Sequence, residues 1–294
     1  MSNISWNIWL IDRLGRMFPR VFWNRYTTLA QRQGFTRLYL LLSFDCDTDK
    51  DARAALLIDD WLEKRKIQRT YAVPGSILET NSTIYKSIGA KGSEFLNHGY
   101  LPHTVVENGV YSSTTFYHRM EPHQIAEDVN KGHGAVTKII GRDPGGFRAP
   151  HFGRVPLSMQ RNLIRPVLKT LGERFSTQTT PFVSFEKGPI WVDNDWVEFP
   201  VIGSSRAPFS VLDSYSYINN PSERKVTPQF AAVFRSTIED LLTWKICGLL
   251  NFYVDPSHVV DDPGFFETLQ IVHDRGIPSL TYSQALEMRN QGKF

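Results

Sequence analysis

The sequence predicts an α/β fold in which buried strands alternate with helices, and the number of such units favours a barrel over an open sheet. Leu38-Tyr39-Leu40-Leu41-Leu42-Ser43-Phe44 is an apolar run without alternation, which suits a strand covered on both faces. Strand-like stretches recur at 70–73, 94–97, 146–153, 190–202 and 249–254, with helical periodicities between several of them. The 294 residues, 41% of them apolar, are enough for one full core.

The elements follow in order. Residues 1–34 form an amphipathic extension rich in Trp6, Trp9, Leu10, Ile11, Leu14, Met17, Phe18, Val21, Phe22, Trp23 and Tyr26, interleaved with Arg13, Arg16, Arg20 and Arg25. Such a basic amphipathic helix suits a membrane interface, whereas packing on the body of the fold or against a second subunit explains the same pattern. The body of the fold is expected over 35–294. After the first strand, Ala54, Ala55, Leu57, Ile58, Trp61 and Leu62 repeat at helical spacing. Thr70-Tyr71-Ala72-Val73 is a strand stopped by Pro74-Gly75, and Glu94 to Asn97 is another, leading into His98. A polar, aromatic loop is expected up to about Met120. Glu121-Pro122 opens a helix that Gly141 ends. Gly146 to Gly153 reads as a strand end and loop, and 190–196 and 196–202 as extended stretches. A long loop with Tyr215, Tyr217 and Asn219-Asn220-Pro221 is a candidate lid or substrate surface. A helix over Gln229 to Ile246, a buried strand over Leu249 to Val254, a helix around Phe265 to Val272, a short strand at Ser279-Leu280 and a helix from Tyr282 to Asn290 complete the chain.

Composition excludes several classes. The net charge of +3 is small and the basic residues are dispersed, so no nucleic-acid partner is indicated. Two cysteines are too few for a disulfide framework and suit a reducing compartment. Asp12, Arg13, Arg16 and Arg20 interrupt the N-terminal apolar runs, unlike a signal peptide, so a cytoplasmic setting is expected, with contact at the inner membrane surface as an option.

Chemistry concentrates where strands end. Asp45 and Asp47 follow the first strand, and side chains two apart on an extended segment point the same way, so both carboxylates can face one pocket while Cys46 points elsewhere. The alternative is that Asp47 or Asp49 merely caps the next helix. Asp47, His98 and His103 together suit a divalent metal with positions left open for water and substrate, although either histidine alone fits a hydrogen-bonded structural role. Zinc is the default ion, and this donor set accepts cobalt or nickel as well.

Ser43-Phe44-Asp45-Cys46-Asp47, His98-Gly99-Tyr100-Leu101-Pro102-His103 and Gly146-Phe147-Arg148-Ala149-Pro150-His151-Phe152-Gly153, in that order and with Val73-Pro74-Gly75 between, resemble the polysaccharide deacetylases with the NodB homology domain. The resemblance spans roughly 35–285 in its Asp-x-Asp variant, and implies a distorted (β/α) barrel of about seven strands. It further implies metal-dependent removal of an acyl group, usually acetyl, from an N-acylated sugar. Carried over by position, Asp45 is the general base, Asp47, His98 and His103 are the ligands, and Arg148 contacts the base. The chemistry agrees: a metal polarises the amide carbonyl, a carboxylate takes the proton from the attacking water, and an arginine keeps that carboxylate ionised.

Two positions depart from the family pattern. The histidine pair is spaced by five rather than four, which on a helix would turn His103 about 140° from His98, so the pair is expected in an irregular loop. Asp255 stands where relatives carry a histidine before proline as general acid. A solvated aspartate, with a pKa of about 3.9, holds no proton at neutral pH unless burial raises it. His258 is therefore expected as the acid with Asp255 as its partner, His151 being a further candidate and a turn-capping role for 255–258 the alternative. Trp191, Trp196, Tyr215 and Tyr217 are aromatics able either to stack on sugar rings or to pack the core. The leading reading is a cytoplasmic deacetylase of an acetamido sugar in assembly of a bacterial surface polysaccharide such as O-antigen. The others are an amidohydrolase on a small ureide or cyclic amide, and an inactive carbohydrate-binding scaffold.

Overall fold

The computed structural model describes residues 4–108, 110–219 and 224–294, with side chains from Leu10 onward. The side chains of Trp6 and Trp9, and Asn220-Pro221 of the candidate lid, lie outside the described residues. Its centre is an eight-stranded sheet. The strands are β1 (Leu38–Asp45), β2 (Thr70–Val73), β3 (Glu94–Asn97), β4 (Thr104–Glu107), β5 (Val110–Ser113), β6 (Gly146–Phe147), β7 (Phe175–Ser176), β8 (Trp191–Asp193), β9 (Trp196–Glu198) and β10 (Gly248–Val254). The sheet order is β10-β1-β2-β3-β6-β7-β9-β8, and every pairing is parallel except β8 with β9, while β4 and β5 form a separate hairpin.

The barrel is distorted because its ladder does not close: β10 is one edge and the β9–β8 hairpin the other. The segment after β9 crosses that gap: the Ile202 N–H donates to the Asn251 carbonyl at 2.8 Å, and Asn251 Nδ2 donates to the carbonyls of Phe199 and Pro200. An asparagine in the apolar strand β10 is thus explained by loose main-chain edges that it satisfies.

Alternation along β1 fixes the two sides of the sheet. Leu38, Leu40, Leu42, Phe44 and Cys46 join the core against the outer helices, whereas Tyr39 and Leu41 join a second cluster with Phe175, Phe199, Tyr282 and Leu286. Ser43, Asp45 and Asp47 continue that second side toward the carboxyl end, so its lining passes from apolar to ionisable along one strand. Glu94 seats the helix Tyr282–Asn290 against the base of the barrel by accepting from the Tyr282 and Ser283 N–H groups at 2.8 and 2.9 Å.

The N-terminal segment forms two helices, Ile4–Met17 and Pro19–Arg32. The second packs inward: Trp23 and Tyr26 are fully buried in the core that also holds Leu38 and Leu40, and Tyr26 Oη pairs with both the N–H and the carbonyl of Leu249. The stretch expected as a loop up to Met120 contains the hairpin β4–β5, whose Val106 and Val110 are exposed, so no buried periodicity marked it. The helical run from Leu157 to Thr170, strand β7 and the helix Pro181–Lys187 had no counterpart in the sequence reading. Two- and three-residue strands are too short to carry a period.

Candidate active site

At the carboxyl ends of β1 and β3 lies a cleft of about 330 Å³ lined by Asp45, Asp47, His98, His103, His151 and Asp255 together with Phe116, Phe152, Arg154, Tyr215, Arg224 and Tyr253. Thr48, not Asp47 or Asp49, caps the following helix: its hydroxyl accepts from the Asp51 N–H while Asp51 bonds back to the Thr48 N–H. Asp47 is therefore left free for the cleft.

Asp47 Oδ1 lies 3.8 Å from His98 Nε2 and 3.4 Å from His103 Nδ1, and one ligand atom from each residue falls within 4.8 Å of the others. His98 Nδ1–H donates to the Arg148 carbonyl at 2.7 Å, which leaves the Nε2 lone pair directed at Asp47. Asp47 Oδ1 is buried with no hydrogen-bond partner, and so is His103 Nε2. An orphaned carboxylate oxygen between two imidazoles is costly unless a cation satisfies it, so these donors fit a divalent ion. Burial works to raise the pKa of Asp47, but the His103 imidazole 3.4 Å away, with His98 beside it, brings it down to about 2. Burial, with His103 beside it, drives His98 well below the ordinary histidine range. An ionised Asp47 and a neutral His98 are the forms that ligate.

The five-residue spacing is absorbed by an irregular loop, as its residues require. Asp128, on the helix Pro122–Ile140, accepts from the Tyr100 and Leu101 N–H groups at 3.0 and 2.7 Å and from the Tyr117 hydroxyl at 2.6 Å. Gly99 has φ +71°, and a Cβ there would lie 2.3 Å from Asp128 Oδ2, so only glycine fits. The hydroxyls of Thr114 and Thr115 donate to the Pro102 carbonyl, and the Thr114 N–H donates to the His103 carbonyl at 2.7 Å. His103 thereby turns back until its ring centroid is 4.2 Å from that of His98.

Asp45 is clamped by Arg148. Arg148 Nη1 donates to Asp45 Oδ1, and Nη2 donates to Ser43 Oγ and Tyr282 Oη, both at 2.8 Å. Tyr282 in turn donates to Asn251 Oδ1 at 2.6 Å. Arg148 favours the ionised form of Asp45, as expected of an arginine beside it, but it is not the largest influence. Burial is the larger influence and pushes the carboxyl up to about 6, with Arg148 pulling down and Asp47 pushing up. Arg148 acts twice, since its guanidinium holds Asp45 while its carbonyl orients His98. Ser43, Asn251 and Tyr282 were not singled out from sequence, although polar Ser43 and Asn251 inside apolar strands were a signal.

His258, expected as the proton donor with Asp255 as its partner, does lie beside Asp255, with Nε2 3.3 Å from Oδ2, but it does not itself line the cleft. It is buried, and Arg224 Nε donates to its Nε2 at 3.0 Å, which places the ring proton on Nδ1, 2.9 Å from Ser214 Oγ. Burial, reinforced by Arg224, lowers its pKa to about 3. Asp255, by contrast, lines the cleft, and burial together with Asp51 and Asp47 raises it well above the carboxylate range despite Arg224 Nη2 at 3.3 Å. Its side chain makes no capping bond to the short helix after it. Arg224, seated over the Tyr111 ring at 4.5 Å, had no sequence signal. His151 lines the cleft with Nε2–H donated to the Thr114 carbonyl at 2.6 Å and its ring stacked on Phe116. Of the four aromatics singled out, Tyr215 lines the cleft. Trp196 is buried with Nε1–H on Ser176, Trp191 packs beside Arg161 and Arg165, and Tyr217 packs on Phe230.

Fold and site together define an α/β protein with a His-His-Asp cluster and a clamped second aspartate at its strand ends. Residues 34–172 match the model of the polysaccharide deacetylase family. Among solved structures, a presumed polysaccharide deacetylase from Mycobacterium smegmatis is similar at TM-score 0.66 and 15% identity, over 87% of this chain and 91% of that one. The peptidoglycan deacetylase PdaC from Bacillus subtilis is similar at 0.52 and 16%, over 87% and 93%. BA3943 from Bacillus anthracis, a CE4 family pseudoenzyme, is similar at 0.50 and 10%, over 84% and 65%. No curated protein matches the sequence.

Proposed function

We propose that the protein is a metal-dependent hydrolase that removes the acetyl group from an N-acetylated sugar, within the assembly of a bacterial surface polysaccharide. The observation that carries the reading is the placement of Asp45, held by Arg148, beside Asp47, His98 and His103 in one cleft. A divalent ion held by those three residues, zinc by default with cobalt or nickel also suited, would polarise the amide carbonyl and acidify the attacking water. Asp45, ionised above its pKa of about 6, takes the proton of that water while Arg148 fixes the carboxylate. The departing amine nitrogen needs a proton, and Asp255 is placed to supply it, since it lines the same cleft and burial raises its carboxyl well above the ordinary carboxylate range. Acetate and the free amino sugar are the products. Phe116, Phe152, Tyr215 and Tyr253 give the cleft aromatic faces for a sugar ring.

Cys46 and Cys247 are free and buried, in keeping with a reducing, cytoplasmic setting. A screen of N-acetylated sugars against small ureides and cyclic amides, with metal added and then chelated, tests the reading. Acetate released from a sugar and abolished by chelation is expected. Turnover of the small amides alone would transfer the site to an amidohydrolase, and sugar binding without hydrolysis would make it a scaffold.

A further inference from the structure

We propose that the two N-terminal helices form a docking face for the surface of an anionic bilayer. Leu10, Leu14 and Met17 recur at helical spacing on Ile4–Met17, and Phe18 and Val21 carry the stripe into the next helix. All five are exposed, at 50, 37, 60, 53 and 63%. Packing on the fold does not account for them, because the opposite side of the same helices is already occupied. A Cβ on Gly15 would lie 2.7 Å from Phe209, the Phe22 ring stands 5.0 Å from Phe209, and Trp23 and Tyr26 are buried.

Charge selects the occupant. From Leu10 to Arg32 the chain has five arginines, Arg13, Arg16, Arg20, Arg25 and Arg32, against the single acid Asp12. An apolar stripe edged by arginines is complementary to acyl chains beneath anionic headgroups. Two copies meeting through this face would set like charges against each other. The face is also joined to the cleft. Arg16 Nη2 donates to Ser210 Oγ at 2.7 Å, and the loop that follows supplies Val211, Asp213 and Tyr215 to the cleft lining. Docking would therefore hold the mouth of the cleft near the lipid surface. The inference goes beyond the deacetylase reading, and its test needs no substrate.

The test is co-sedimentation of the full chain with phosphatidylglycerol-containing vesicles and with pure phosphatidylcholine vesicles, across ionic strength. Binding to the anionic vesicles is expected, weakening as salt rises. The variants Met17→Glu/Val21→Glu and Arg20→Glu should each lower partitioning about tenfold or more, with circular dichroism and Tm unchanged. No binding at low salt, equal binding to both vesicle types, or binding that both variants retain would overturn the proposal. A concentration-dependent dimer that Met17→Glu/Val21→Glu dissolves would instead assign the face to a second copy.

Discussion

Asp45 and Asp255 are both buried carboxyls in one cleft, and their neighbours give them opposite tasks. Asp45 has an arginine bound directly to one oxygen and is pushed to about 6, so at neutral pH it is mostly ionised, the form a general base needs. Asp255 sits among other acids, and burial together with Asp51 and Asp47 raises it well above the ordinary carboxylate range, which suits a proton donor. Asp45→Asn should retain metal by elemental analysis and lose about two to four orders of magnitude in turnover. Asp255→Asn should cost about a hundredfold or more on an amide, and far less on an activated aryl ester whose leaving group needs no proton. Activity that depends on a protonated Asp255 is present below its raised pKa and lost as pH climbs through it, so a pH-rate profile of Asp255→Asn should lack that alkaline limb. His258→Gln should stay within about tenfold of the wild type on both substrates, since this side chain does not line the cleft and meets it only through Asp255 and Arg224. A hundredfold loss on the amide alone would restore His258 as the acid. The choice between these residues was not legible in the sequence, because it depends on Arg224, which arrives from a distant loop to donate to both.

The element on which the site depends most is the loop from His98 to His103. Its ligand types were readable, and so was the need for irregular backbone once Pro102 stretched the spacing. What holds the loop was not readable, since Asp128, Thr114 and Thr115 lie on other elements whose contacts leave no periodic trace. Gly99→Ala puts an L-residue at φ +71° and a methyl against Asp128. It should cost more than about 1–2 kcal/mol of stability for the left-handed backbone alone. It should also weaken metal binding, which calorimetric titration of the variant would measure. Metal affinity equal to the wild type would mean that the loop is set by the hairpin β4–β5 and not by Asp128. The long strands β1 and β10 and the helices after Thr48 and Glu121 were legible for the opposite reason, as each carries enough buried residues or a clear cap to declare its period.

Across the whole molecule, the sequence identified a barrel with its chemistry at the strand ends, and the structure adds how the barrel is joined. Asn251 serves as the fastening between β10 and the segment after β9 and as the end of the Arg148–Tyr282 chain that reaches Asp45, so closure and base are coupled. The helix Pro19–Arg32 belongs to the same core. Trp23 is fully buried, with its Nε1–H on the Ser205 carbonyl, and Trp23→Ala should lower stability by about 3–5 kcal/mol in denaturant unfolding. A change below 1 kcal/mol would mark that helix as an appendage. Among the described residues no helix is long and apolar enough to cross a membrane. On the proposed function, Asp47, His98 and His103 hold one ion on which hydrolysis by Asp45 depends. This dependence is tested most directly by titrating zinc into metal-stripped protein while measuring acetate released from an N-acetylated sugar. Release should rise in proportion to bound metal, level off at one ion per chain, and stay at background throughout in His103→Ala. Release from the stripped protein, or one ion bound per chain with no acetate formed from any N-acetylated sugar, would contradict it.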